Sequence, residues 1–192
     1  MAKFKFKHAV MRAGKSQELA RVAYNYKVKG DETLVIVPST DNRHGVGKVT
    51  ARSGEQLDAI AIEPNSMREF LDDYFTKETN IVAILVDEVQ FFTKEDIFAL
   101  KEVVLYRDIP VIAYGLKTDF QNNLFEGSAA ALVVAEGIYE IETVCSFCNK
   151  LAIMNLRMND GKPVREGEQI QIGDDEYLQV CHYHYINPER KE

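Results

Sequence analysis

Residues Ile81 to Val86 form an unbroken apolar run that stops on two adjacent carboxylates, Asp87 and Glu88. A strand with water on one face alternates apolar and polar side chains, so a run of this length and composition points to a strand covered on both faces, as in a parallel sheet. Pro110–Gly115 repeats the pattern. Between such runs the spacing turns helical. Leu19, Val22, Ala23 and Tyr26 recur from Gln17 to about Val28, with Gly30 as a stop, and Thr93 caps a helix over Lys94–Tyr106 whose first turn carries Glu95 and Asp96. Further strands are expected at Lys3–Val10, Thr33–Val37, Asp58–Ile62 and Ile138–Val144. Further helices are expected at Met67–Phe75, capped by Asn65 or Ser66, and at Ser128–Ala135. Strand, helix and strand in this order predict an α/β core, a parallel sheet flanked by helices. Ser39–Gly54 is polar and glycine-bearing, and reads as a mobile loop. At Cys145 the composition becomes turn-rich, which divides the chain into residues 1–144 and a small second domain, 145–192.

Composition narrows the function classes. With 46% hydrophobic residues the chain has material for a sizeable core, and its net charge of −7 disfavours a nucleic-acid partner, which needs a basic face. Lys3, Lys5 and Lys7 share one face of an alternating strand, where a solvated edge explains them. No apolar run approaches the ~18–20 residues that span a bilayer. The alternating Lys and Phe of the N-terminus lack a signal peptide's apolar block, so the expectation is a cytoplasmic protein without a membrane partner. In that compartment three cysteines need an explanation other than disulfides.

The segment Ala9, Val10, Met11, Arg12, Ala13, Gly14, Lys15, Ser16 lies between an expected strand and an expected helix. This is the arrangement of a phosphate-binding loop. Backbone N–H groups curl around phosphates, the helix N-terminus adds positive potential, Lys15 meets the outer phosphates and Ser16 holds Mg²⁺. The usual pattern begins with Gly where this chain has Ala9, which fits only if the backbone there keeps φ negative or tolerates strain. A phosphate-loop enzyme also needs an acid at the tip of a buried strand to place the metal, and Asp87 stands there. Glu88 projects differently and could accept a proton from an attacking hydroxyl. The bland alternative is two carboxylates solvating a strand end.

Cys145-x-x-Cys148 is followed, after 32 intervening residues, by Cys181-x-x-His184. Each pair suits a tight turn aiming two ligands at one ion, and four protein ligands make a closed, structural zinc site that uses every cysteine of the chain. His184 matches the spacing of the first pair, and His182 is the alternative fourth ligand.

Taken in order, these segments resemble the type II thymidine kinases, the cellular and bacterial family, over nearly the whole length. The matching stretches are Met11–Ser16; Pro38 with Asp41 and Arg43; Val86–Phe91; Tyr114–Phe120; Leu124–Ser128; Gly167–Ile170; Ile172, Gly173 and Tyr177; and the Cys/His ligands. The resemblance implies a RecA-like P-loop domain binding ATP and Mg²⁺ through the loop, Asp41, Arg43, Asp87 and Gln90. Glu88 would be the general base on the 5′-hydroxyl of thymidine. The thymine ring would lie among Met11, Leu116, Phe120, Phe125 and Tyr177. A lid of about Met158–Glu176 would hold the base through backbone groups of Gln169, Ile170, Gln171, Ile172 and Gly173, beside Arg157. The resemblance further implies a homotetramer and feedback inhibition by dTTP. The chain departs from the family pattern at Ala9, Arg12, Ala13, Val37 and around Gly173. Those departures keep two other readings in view: a catalytically weakened thymidine-nucleotide-binding protein, and a deoxynucleoside kinase of altered base preference. A zinc-ribbon nucleic-acid binder using its loop as an ATPase switch is disfavoured by the acidic charge.

Overall fold

The computed structural model describes residues 1–40, 47–50, 54, 56–169 and 176–188. Six parallel strands form the main sheet in the order β5-β2-β6-β7-β1-β8. They are β1 (Phe4–Ala9), β2 (Glu32–Pro38), β5 (Ile60–Ile62), β6 (Ile81–Val86), β7 (Val111–Leu116) and β8 (Gly137–Glu140). The apolar run that ends on Asp87 is β6, near the middle of the sheet, with neighbours on both sides.

Its two faces fill two cores, because successive side chains of a strand point to opposite faces. Ile84 and Val86 pack with Phe4, Phe6, Ile36 and Ala113 against α2 (Met67–Tyr74), α3 (Lys94–Arg107) and α4 (Glu126–Val134), meeting Leu71, Ile97, Leu100 and Ala131. Leu85 faces the other way, with Val35, Val37, Ile112 and Tyr114, against Leu19 and Ala23 of α1 (Lys15–Lys29). Both faces being covered by helices is what makes the continuous apolar pattern legible.

Several boundaries differ from expectation. Asp58–Ile62 is not one strand. β4 (Gln56–Asp58) pairs antiparallel with β3 (Lys48–Thr50), and after Ala59, whose N–H donates to Gly47 at 2.9 Å, β5 joins the main sheet. The expected loop Ser39–Gly54 therefore contains a strand, and the rest of that expectation lies largely outside the described residues. Ser66 occupies the N-cap of α2 but makes no side-chain cap. The carboxylate of Asp96, from α3, accepts the N–H groups of Asn65 and Met67 instead, at 2.7 and 3.0 Å. The same carboxylate closes a capping box with Thr93. Strand β8 stops at Glu140, short of the expected Val144.

After β8 a separate three-stranded antiparallel sheet follows, order β10-β9-β11, from β9 (Met154–Asn159), β10 (Lys162–Val164) and β11 (Glu176–Val180). The short α5 (His182–Ile186) ends the described fold. Cys145, Leu156, Val180, Cys181 and Tyr185 form its small core. Among the described residues no helix is long and apolar enough to cross a membrane.

Candidate active site

The register of the sheet sets Ala9 opposite Leu116 and Val86 opposite Ala113. The segments leaving β1, β6 and β7 thus emerge along one edge, where open α/β sheets bind ligands. Ala9 is still within β1 and is not among the residues with positive φ, so the replacement of glycine there carries no strain. The left-handed positions of the loop are Arg12, at φ 63°, and Gly14, at φ 84°. From Gly14 the chain enters α1, whose first bond runs from Glu18 N–H to the Gly14 carbonyl at 3.0 Å. The preceding N–H groups of that helix end have no intrahelical partner and suit an anion. Lys15 is buried, with Nζ 3.4 Å from the Val10 carbonyl.

Asp87 meets this loop directly. Ser16 Oγ donates to Asp87 Oδ2 at 2.8 Å, and Glu88 N–H donates to Asp87 Oδ1 at 3.0 Å. Burial, and then the neighbouring Glu88 charge, push the Asp87 carboxyl up to about 6, against the opposing pull of Ser16 and Lys15. Glu88 sits at φ 48° and caps a 3₁₀ turn, Val89–Phe91. Gln90 in that turn donates from Nε2 to Glu88 Oε2 at 2.5 Å, while its Oε1 accepts the Leu116 N–H at 3.0 Å.

These groups line one cleft of about 380 Å³, together with Met11, Arg12, Gly14, Val37, Val49, Thr50, Phe91, Leu116 and Tyr177. Loop residues, both acids, Gln90 and three of the expected nucleoside contacts, Met11, Leu116 and Tyr177, are therefore brought together. Phe120 and Phe125 are buried and do not line the cleft. Phe125 stacks edge-on against Phe91 with centroids 6.2 Å apart, and the Arg157 guanidinium lies 5.0 Å over the Phe120 ring. Gln169 Nε2 donates to Asp119 Oδ2 at 3.0 Å. Asp41, Arg43, Ile170, Gln171, Ile172 and Gly173 lie outside the described residues.

Asn155 carries no weight in the sequence, and Asp119 enters there only as part of the matching stretch Tyr114–Phe120. Asn155, buried in β9, accepts the Met11 N–H at 2.8 Å and donates to the Thr118 carbonyl at 3.2 Å, so it joins the small sheet to the phosphate loop. A lone amide within the apolar stretch Ile153–Leu156 was its only signal. Asp119 organises its own loop, accepting from the N–H groups of Gln121 and Asn123 at 2.8 and 2.9 Å as well as from Gln169.

Away from the cleft, Cys145, Cys148, Cys181 and His184 bring their ligand atoms within 4.8 Å of one another, a group able to hold a metal ion. His184 supplies the ring and His182 stays exposed outside the cluster. Cys181 caps α5, so a residue three further on returns to the same side while the adjacent one turns away. His184 Nδ1 is 3.5 Å from Cys145 Sγ and 3.4 Å from Cys181 Sγ, and Cys148 Sγ is 3.9 Å from Cys181 Sγ. Tetrahedral zinc, with bonds of about 2.3 Å to sulfur and about 2.0 Å to nitrogen, sets its ligands roughly 3.5–3.8 Å apart, so the donor set fits.

A parallel sheet with a Gly-Lys-Ser loop after one strand and a buried carboxylate at the tip of another is the arrangement of the P-loop class. The family model for thymidine kinase matches residues 2–185. A thymidine kinase of Streptococcus pyogenes serotype M3 is 44% identical over 98% of this chain and 100% of its own length, and one of Lactococcus lactis subsp. lactis is likewise 44% identical with the same coverage. A thymidine kinase of Streptococcus thermophilus is 42% identical over 100% of this chain and 97% of its own. The chain belongs to the thymidine kinase family. A solved structure of the Legionella pneumophila ATPase DotB aligns with 71% of this chain and 35% of its own, at 14% identity and a TM-score of 0.39, a likeness that bears on nothing further.

Proposed function

We propose that the chain transfers the γ-phosphate of ATP to the 5′-hydroxyl of thymidine, with deoxyuridine as a second acceptor, in nucleotide salvage. What supports this reading is the single cleft in which Asp87 touches Ser16 of the phosphate loop while Glu88, the next residue, turns off through a left-handed backbone. The loop N–H groups from Val10 to Ser16 and Lys15 bind the triphosphate, with Asp41 and Arg43 on the same side. Ser16 and Asp87 are the groups that would hold Mg²⁺, which when bound neutralises charge on the β- and γ-phosphates. Glu88 takes the proton of the 5′-hydroxyl as its oxygen bonds to the γ-phosphorus. The bond from that phosphorus to the bridging oxygen breaks, and ADP leaves with the electron pair. Met11, Leu116 and Tyr177 flank the thymine, Phe120 and Phe125 back them, and Gln169 to Gly173 cover it.

The same reading divides the chain at Cys145, gives the Cys/His cluster a structural zinc, and places the enzyme in the cytoplasm as a homotetramer restrained by dTTP. Because Ala9 lies within a strand and takes no positive φ, the weakened-binder alternative loses one of its motives. Incubation with ATP, Mg²⁺ and each of the four deoxynucleosides tests the assignment. Thymidine is the expected preferred acceptor, and Glu88→Gln should slow product formation by about 10²- to 10⁴-fold. ATP binding without any nucleoside phosphorylation would overturn it.

A further inference from the structure

We propose that Gln90 is a positioning residue for Glu88, holding the carboxylate toward the acceptor hydroxyl, rather than a contact for ATP. The inference rests on the reading of Glu88 as the base.

Glu88 is awkwardly placed for a group that must aim at one atom. Its backbone is left-handed, at φ 48°, in a region that disfavours residues other than Gly, Asn and Asp. Its side chain reaches into an open cleft. Gln90 supplies a constraint. It is only 3% exposed, and both ends of its amide are engaged. The Leu116 N–H can only donate, so the amide atom it meets at 3.0 Å is the oxygen, and the nitrogen must face Glu88 Oε2, 2.5 Å away. A strand backbone thus fixes one end of the amide and the amide fixes the acid. Leu116 is itself held, since Ser128 Oγ donates to its carbonyl at 2.5 Å.

Two glycines make room for this turn. A Cβ on Gly115 would stand 2.6 Å from Gln90 Oε1 and 2.7 Å from Val89 Cγ1. One on Gly127 would stand 2.3 Å from the Val89 carbonyl oxygen and 2.6 Å from that of Phe92. β7 and α4 therefore press against the turn from two directions, at distances no side chain could occupy. A neutral amide also suits the task. It donates a hydrogen bond to the carboxylate without forming the ion pair that Lys or Arg would, so it lowers the base's affinity for a proton less than a cation does.

Steady-state kinetics of the full chain with ATP, Mg²⁺ and thymidine separate this role from nucleotide binding. Gln90→Leu should lower kcat by about 10- to 100-fold, the scale of a misaligned reacting group, with KM for both substrates within about twofold. Gln90→Glu has the same size and keeps the acceptor for Leu116 N–H, so it guards against a folding defect, and it should lose kcat as well. In combination with Glu88→Gln, Gln90→Leu should cost nothing more, because a residue that works through the base has nothing left to position. A raised KM for ATP with unchanged kcat would overturn the proposal, as would losses that multiply in the double variant. Full turnover by Glu88→Gln alone would instead remove the base assignment itself, whatever Gln90 does.

Discussion

Ser16 Oγ donates a 2.8 Å hydrogen bond to Asp87 Oδ2, tying the first turn of α1 to the tip of β6. The bond sets in contact the hydroxyl and the acid proposed to hold Mg²⁺, but it does not compensate the acid fully for its burial. Asp87 remains pushed up to about 6 from the ordinary 3.8, by burial first and Glu88 second. A carboxyl raised in the folded state binds more protons folded than unfolded across that window. Stability without ligand therefore falls as pH rises from about 4 to about 6, and the full cost persists above it. Asp87→Asn should raise the ligand-free thermal midpoint at pH 7.5, by a few degrees for a gain on the order of 2 kcal/mol, and leave it nearly unchanged at pH 4. Phosphorylation should fall at least about 100-fold in the same variant, as expected when phosphoryl charge is no longer neutralised. A midpoint lowered more at pH 7.5 than at pH 4 contradicts this account.

Asp96 is the second buried acid with a single carboxylate serving several donors. It takes Asn65 N–H, Met67 N–H, Thr93 N–H and Thr93 Oγ1 within 2.7–3.0 Å, and is 1% exposed. Asp96→Ala leaves the N–H groups of Asn65, Met67 and Thr93 without their acceptor, while Thr93 Oγ1 still accepts from the backbone of residue 96, a cost of roughly 3–5 kcal/mol. Urea denaturation should show the midpoint falling with little change in slope, and KM values measured well below the new midpoint should stay near those of the parent. A loss under about 1 kcal/mol would mean that water replaces the carboxylate.

Which parts of this architecture the sequence betrays follows from the range of the interactions involved. β6 and β7 are legible because burial on both faces leaves an apolar run, and α3 because its cap, Thr93 with Asp96, is local. The Cys/His cluster is legible because each ligand pair is a short turn. The start of α2 is not, since its cap comes from α3, about thirty residues downstream. The division of Asp58–Ile62 depends on which partner each half finds, β3 or β2, and nothing within five residues records that. Gln90 is a nucleotide ligand by the resemblance, and its bond to Leu116, 26 residues away, is a contact that no local pattern records.

The Cys/His cluster should behave as a metal site that is part of the fold. The core around Cys145 and Cys181 is small, with Leu156, Val180 and Tyr185 as its other buried members. Elemental analysis should find one zinc per chain. A strong chelator, or Cys148→Ser, should lower the thermal midpoint by several degrees, since metal binding there is folding free energy. Unchanged melting after verified metal loss would show that the apolar contacts suffice.

Asn155 predicts how that small sheet reaches the chemistry. It is 3% exposed and is bonded at once to Met11 N–H and the Thr118 carbonyl, in the segments that follow β1 and β7. Asn155→Ala orphans a donor and an acceptor at the wall of the cleft, worth about 1–3 kcal/mol, and the loop bearing Met11 loses its tie to β9. KM for thymidine should rise about 3- to 10-fold, with kcat affected less, as when binding common to ground and transition states is lost. Asn155→Asp separates the two bonds. It keeps an acceptor for Met11 N–H but turns a carboxylate oxygen toward the Thr118 carbonyl. If the Thr118 bond matters, Asp should be worse than Ala; if only the Met11 bond matters, Asp should restore the parent KM. Equal, unperturbed kinetics in both variants would leave Asn155 no part in shaping the cleft.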